Sequence, residues 1–479
     1  MLIGKLFSYA LRAARSPVSR STDPAPVESS PRPGRVPHRT ERRAWVVLVM
    51  IVVFMMISYA DKAVLGLAAV PLMEELGIGK STYGLISSSF YLLFSLSGLV
   101  VGFFSARISS RTLLLTMAAL WAIAQLPVLL VAAVPSLIAG RVLLGVAEGP
   151  AASMSMHALY KWFPAGRRGL PSALQIGGAA LGTAVSAPLL TWLIVDRGWR
   201  SAFVALMLVS AAWCLVWPFV GHDGPFGGER KSAGERKPTE RAGRPSRAAG
   251  PPLRALLTNG TVAGGILSAF GSHWALALSS AWLPVYLQVQ MGMSATGAST
   301  VISGVSVVSL VLLLSVPAYV DRLKRRGVSS RRADGIPQGT AVLVAGCALA
   351  LLPFAGGGPV QLLLTAMAFG CHAVALPLHY VTTATVVPDA RRGAVFGVVA
   401  ASGTLPGLFV PYLTGHLVDN AATETAGYTA AFLLSAGVMA VCGLLAIVII
   451  RPERDARRLN PVAAPAPAPQ AGASKPVAQ

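Results

Sequence analysis

Apolar residues run along this 479-residue chain in stretches of about 20, with polar residues gathered in the intervals between them. A helix of that length rises about 30 Å, enough to cross the hydrocarbon core of a bilayer with its backbone satisfied internally. Twelve such stretches are centred in Trp45–Ala69, Tyr83–Ala106, Thr112–Val131, Leu137–Tyr160, Leu170–Val195, Phe203–Val220, Val262–Val289, Ala298–Val320, Thr340–Phe354, Val360–Val387, Ala394–Leu417 and Ala431–Ile450. Pro284, Pro377, Pro406 and Pro411 fall inside these stretches and are expected to kink or break helices, since neighbouring helices can satisfy the freed backbone groups. The pattern predicts an all-α integral membrane protein.

Composition agrees: 54% of residues are hydrophobic and only 12% charged, too few charges for a water-facing surface. The basic residues then set the orientation. Of 40 Lys and Arg, 35 fall in the tails and even-numbered loops, two inside spans (Lys62, Arg141) and three on the other side (Lys80, Arg197, Arg200). The positive-inside rule puts both termini in the cytoplasm, across an inner or plasma membrane. The net charge of +21 is thus mainly a topology signal, and its spread over short loops argues against nucleic acid as a partner. A monomer is the default assembly.

Residues 1–43 form a Ser-, Pro- and Arg-rich tail without a signal peptide, 221–253 a cytoplasmic linker and 452–479 an Ala/Pro-rich tail, leaving bundles over 44–220 and 254–451. Leu2–Arg15 has the pattern of a short basic amphipathic helix at the membrane surface. The bundles repeat each other. Pro71, Gly79, Ser81 and Gly84 recur 213 positions later as Pro284, Gly292, Ser294 and Gly297. Ala106, Arg107 and Arg111 recur 215 later as Asp321, Arg322 and Arg326, and Pro164, Arg167, Arg168 and Gly169 recur 224 later as Pro388, Arg391, Arg392 and Gly393. Three blocks in one order at nearly constant offset predict two pseudo-symmetric six-helix bundles.

Asp61, Lys62, Arg141 and Glu148 stand inside the first and fourth spans. A charge at bilayer depth costs roughly 2.5 to 3.5 kcal/mol, so these four must face a cavity or one another. Arg141 and Glu148, seven apart, share one stripe of their helix with Gly145 between them leaving open space. Asp61 and Lys62 point about 100° apart, so one can face a cavity while the other meets a neighbouring helix. An anion entering such a site finds two cations, and a carboxylate displaced from its cation takes up a proton. The same residues would also serve as static salt bridges between the helices.

The loop Pro317-x-x-x-Asp321-Arg322-x-Lys324-Arg325-Arg326 resembles a pattern of the major facilitator superfamily; its first copy, Gly102-x-x-x-Ala106-Arg107-x-Ser109-Ser110-Arg111, lacks the Asp, which leaves a charge latch there open. Within that superfamily Ser58-Tyr59-Ala60-Asp61-Lys62, Arg141-x-x-x-Gly145-x-x-Glu148-Gly149-Pro150, Lys161-Trp162-Phe163-Pro164, Gly198-Trp199-Arg200-x-x-Phe203 and Trp282-Leu283-Pro284-x-Tyr286-Leu287 resemble the anion:cation symporter family. The resemblance implies proton-coupled uptake of a small organic anion, such as a carboxylate or sugar acid, by alternating access. Asp61 and Glu148 would then be the protonation sites, Lys62 and Arg141 the substrate contacts, and a proton the coupling ion, with no cofactor. The family usually has Arg at the position of Lys62, and its sugar-acid carriers have Tyr and Gln where this chain aligns Phe94 and Gly98, which suits a less hydroxylated acid.

Tyr59, Gln175, His273, Trp282, Tyr286 and His379 are further candidate substrate contacts, each with helix packing as its plain alternative. No metal spacing and no nucleophile–base pair is present, so an enzyme is not expected. Gly77-Ile78-Gly79-Lys80-Ser81-Thr82 lacks the first Gly of a phosphate loop, and Ser81 is expected to cap the second helix. The pairs Gly98/Gly102, Gly145/Gly149 and Gly178/Gly182 read as close helix crossings, and the four Cys, all within spans, imply no disulfides. The rival readings are a proton-coupled exporter of an amphipathic drug or metabolite, and a transporter-like sensor.

Overall fold

The computed structural model describes residues 38–104, 108–164, 167–227 and 252–459. They contain twelve helices long and apolar enough to cross a membrane. These are α1 Glu41–Leu67, α2 Lys80–Val101, α3 Ser110–Leu130, α4 Val134–Tyr160, α5 Gly169–Arg197 and α6 Trp199–Val220, then α7 Gly260–Val289, α8 Ala295–Arg325, α9 Arg331–Phe354, α10 Gly358–Val386, α11 Arg391–Asp419 and α12 Glu424–Ile449. No strand occurs among the described residues. The fold is all-α, as the apolar pattern predicts. The surface-helix expectation for Leu2–Arg15, the latch residues Ala106 and Arg107, and most of the expected linker and tails lie outside the described residues.

The sequence repeat is a structural repeat. Arg168 donates to the carbonyls of Phe163 (2.9 Å) and Tyr160 (3.0 Å) at the end of α4, and Arg392 donates to those of Val387 (3.2 Å) and Ala384 (2.9 Å) at the end of α10. Each pair lies the same number of positions back, so one arginine per half closes the orphan carbonyls of the same helix end. The family-like motifs away from the four intramembrane charges also have structural work. Trp162 and Lys161 bind His222 carbonyl (3.0 Å) and Asp223 (3.1 Å), pinning the start of the linker. Trp199 Nε1 (2.7 Å) and both Arg200 Nη atoms (2.9 and 2.6 Å) converge on Glu75 and hold its carboxyl below the usual range.

Five spans lose regular helix part-way across. In α2 the break is Phe90–Leu93, in α3 Gln125, in α4 Gly149–Pro150, in α10 the 3-10 turn Cys371–Val374, and in α11 Leu405 just before Pro406. Pro284 and Pro411 are instead absorbed within continuous helix, while Pro377 stands in the first turn of the helix that restarts at Ala375 after the α10 break, where its missing N–H costs no helical bond. Irregular backbone at membrane depth is tolerated where it is covered by protein or lines a cavity.

The carboxy-terminal segment departs from expectation. Instead of an extended tail from 452, Pro452–Leu459 forms a further helix, α13, with Glu453 and Asp455 in its first turn and Arg457 and Arg458 in its last, complementing its dipole. Buried Asp455 accepts from Thr261 N (2.9 Å) and Oγ1 (2.7 Å) at the start of α7. Its lack of apolar residues hid this helix from a hydropathy reading.

The halves are sealed together at the face opposite the chain ends. Ser81 does not cap α2: the N-cap position is Gly79, which offers no side chain. The cap comes from the other half. Asp419, ending α11, accepts from Lys80 N (3.2 Å), Ser81 N (2.7 Å) and Ser81 Oγ (2.6 Å), while Lys80 Nζ pairs with Glu424 (2.5 Å). Deeper in, Tyr83 OH donates to Ala281 carbonyl (3.0 Å), and Trp282 Nε1 donates to Pro411 carbonyl (2.9 Å) under a T-shaped contact with Tyr83. Removing the cap with Asp419→Ala is expected to weaken this seal by about 1 kcal/mol, roughly a fivefold population shift. A cysteine placed at Tyr83 should label correspondingly faster in the variant; an unchanged labelling rate would show the seal does not depend on the cap.

Candidate functional site

Helices α1 and α4 bring the four intramembrane charges together. Lys62 Nζ lies 2.6 Å from Glu148 Oε2 and donates to Ser58 Oγ (3.1 Å), which itself donates to the same Oε2 (3.1 Å). Glu148 Oε1 is buried without a hydrogen-bond partner. A lysine, a point charge, meets one carboxylate oxygen where an arginine fork would take both, so the second oxygen is left open.

Asp61 turns the other way, as adjacent helical positions require. It is fully buried, and its Oδ1 accepts from Gln125 Nε2 of α3 (2.9 Å) while Oδ2 has no partner. Arg141 Nη1 donates to the main-chain carbonyl of Asp61 (3.0 Å), not to its carboxylate, and Arg141 Nε is unpartnered. No carboxylate lies within 4.0 Å of Arg141 among the described residues. The guanidinium instead rests 5.3 Å from the Phe90 ring.

The expected opening at Gly145 is filled. A Cβ there would sit 1.9 Å from Phe90 carbonyl oxygen, and one at Gly149 would sit 2.0 Å from that of Phe94, so α2 crosses α4 backbone to backbone. This crossing delivers the residues that sequence reasoning missed. Lys62 and Arg141 meet Ser87, Phe90 and Tyr91 of α2 and Ser280 of α7 around one chamber at the seam between the halves, closed by Pro411. Positions 87, 90, 91 and 94 follow helical i, i+3, i+4, i+7 spacing, a signal present in the sequence. The Phe94 ring lies 5.7 Å from Lys62 Nζ, but a Cβ at Gly98 would fall 3.1 Å from Gly149 carbonyl oxygen, so Gly98 is closed against α4 and the wall runs from Phe94 toward Ser87. In this sealed state the chamber holds about 10 Å³, room for about one water.

Of the other candidates, Tyr59 stacks its ring 4.3 Å from Lys62 Nζ. The remaining five do not line the chamber. Gln175 donates to Ser155 Oγ (2.8 Å) and ties α5 to α4; Trp282 belongs to the seal described above. Tyr286 lines a separate cavity of about 330 Å³ with Gln290, Gln361, Thr425 and Tyr428. His273 and His379 place Nδ1 on the carbonyls of Ala269 (2.8 Å) and Ala375 (3.0 Å) of their own helices. His273 falls on the same helical face as Ser280, two turns nearer the chain ends.

A charged chamber at the seam of two repeated six-helix halves is the anatomy of a secondary transporter. The family model for the Major Facilitator Superfamily matches residues 50–360 and 329–478. The chain belongs to that superfamily. It is similar to the hexuronate transporter of Bacillus subtilis (25% identity, covering 83% of this chain and 92% of that one) and to a probable sulfoacetate transporter of Cupriavidus necator (26%, 86% and 95%). Its fold matches the crystal structure of a D-xylose-proton symporter with a TM-score of 0.69 over 86% of this chain and 99% of that one, at 17% identity. This superfamily member is a transporter rather than an enzyme.

Proposed function

We propose that the protein is a proton-coupled symporter that carries a small organic anion from the sealed face to the face bearing the chain ends, in the cytoplasm. One observation carries this reading: Glu148 is held by Lys62 through a single oxygen, beside an Arg141 with no carboxylate of its own. An anion drawn to Arg141 also competes for Lys62, and a Glu148 that loses its cation is an uncompensated buried charge unless it binds a proton. Oε1 is the atom free to take it. Asp61, with Oδ2 open and its carboxylate bound only by Gln125, is the second protonation site. The names of the similar hexuronate and sulfoacetate transporters support the class of cargo.

Alternating access follows from the seam. The chamber is too small for an organic anion while the opposite-face seal is closed, so cargo enters as the halves part. In vesicles containing the purified protein, an imposed pH gradient should drive accumulation of a carboxylate, about tenfold per pH unit at one proton per anion. Uptake that only equilibrates, with no internal alkalinisation reversed by the cargo's entry, would remove the coupling.

A further inference from the structure

We infer that the anion is a monocarboxylate with a planar, apolar body, an aromatic acid rather than a polyhydroxylated sugar acid. This rests on the chamber being the substrate site, and it names what that site selects.

The head group is set by the charges. Glu148 occupies Lys62, and Arg141 alone among the chamber cations has no carboxylate within ion-pair distance. One free cation, with its Nε buried and unpartnered, matches one carboxylate.

The body is set by the walls. Phe90 contacts Tyr91 (4.9 Å between ring centres) and Phe94 (5.3 Å), and the rings of Phe90, Phe94 and Tyr59 surround the Lys62 ammonium. Tyr91 lies flat against Gly407 of α11, where a Cβ would fall 2.2 Å from its ring. The half opposite presents Ala281 and Pro411, with Leu65 beside them. Such surfaces grip a flat ring through its faces and edges.

Partners for many hydroxyls are missing. The amides that a sugar acid would need are each committed to another helix. Gln125 holds Asp61 and Gln175 holds Ser155, while Gln338 holds Ser268 and accepts from Thr382 (3.0 Å). Thr404 is bonded to Ser95. What remains at the chamber is Ser87, whose Oγ is buried without a partner, with Tyr91 and with Ser280, whose hydroxyl donates to Ala277 carbonyl (3.2 Å) and is left only to accept. Two hydroxyls on a ring can be met; a chain bearing one on nearly every carbon cannot, and each buried hydroxyl left unpaired weakens binding by roughly five- to a hundredfold. Because the halves move as bodies, each keeps its wall when the chamber opens.

The test compares pH-driven uptake of 3,4-dihydroxybenzoate and D-gluconate into vesicles containing the full-length protein, after subtracting protein-free vesicles. The aromatic acid is expected to half-saturate at a concentration at least about tenfold lower. Gluconate transported as well or better overturns the inference and leaves the symporter reading standing. If neither acid is taken up by protein that remains folded by thermal melting, both readings fall.

Discussion

Glu148→Gln is expected to abolish gradient-driven accumulation while preserving binding and exchange. The amide keeps an oxygen that can accept from Ser58 and Lys62 where Oε2 does so now, at 3.1 and 2.6 Å. What it loses is the ability to hold a proton at the open oxygen. The inside-to-outside ratio of cargo should therefore fall from about tenfold per pH unit to one. Exchange of labelled for unlabelled anion across the membrane should continue. The variant also strips Lys62 of its counter-charge, a loss of about 3 to 5 kcal/mol for a fully buried pair. Lys62 is 16% exposed, rests on the Tyr59 ring and reaches the chamber, so the thermal cost should be smaller and should shrink further with anion bound. Accumulation at the wild-type ratio in folded Glu148→Gln protein would assign the coupling proton to another group, with Asp61 the next to test.

The split between what the sequence revealed and what it hid follows from the range of the forces involved. The spans were legible because about 20 apolar residues have few other places to go, and the repeat because the same arginine closes the same helix end in both halves. Asp61 and Lys62 diverge as helical geometry alone requires. The hidden features all depend on contacts between distant segments. The α2 cap is Asp419, 338 positions from Ser81, so no local capping pattern could announce it. The space beside Gly145 looked open because the missing side chain is visible in a sequence and the incoming Phe90 backbone is not. Trp282 read as a cargo contact because an aromatic donor at membrane depth is rare, yet its Nε1 is taken by the Pro411 carbonyl of the eleventh span, a partner the sequence around Trp282 does not show. Helix α13 failed the hydropathy pattern and formed because buried Asp455 caps α7.

Arg141→Ala should remove anion binding almost completely, and Arg141→Lys should separate charge from shape. The alanine variant deletes the one chamber cation that has no carboxylate, leaving Lys62 already engaged by Glu148. A charge-assisted hydrogen bond contributes about 1.5 to 3 kcal/mol, and a bidentate grip has two, so half-saturation should rise by at least a hundredfold. Lysine restores the charge but not the fork. It also cannot both hold the Asp61 carbonyl, as Arg141 Nη1 does at 3.0 Å, and present paired donors to a carboxylate. Its half-saturation should fall between the two, roughly tenfold above wild type, with the maximal rate less affected because the proton site at Glu148 is intact. Binding by titration calorimetry and uptake by isotope flux give the two quantities separately. Wild-type affinity in folded Arg141→Ala protein would move the substrate out of this chamber, since no other uncommitted cation lines it.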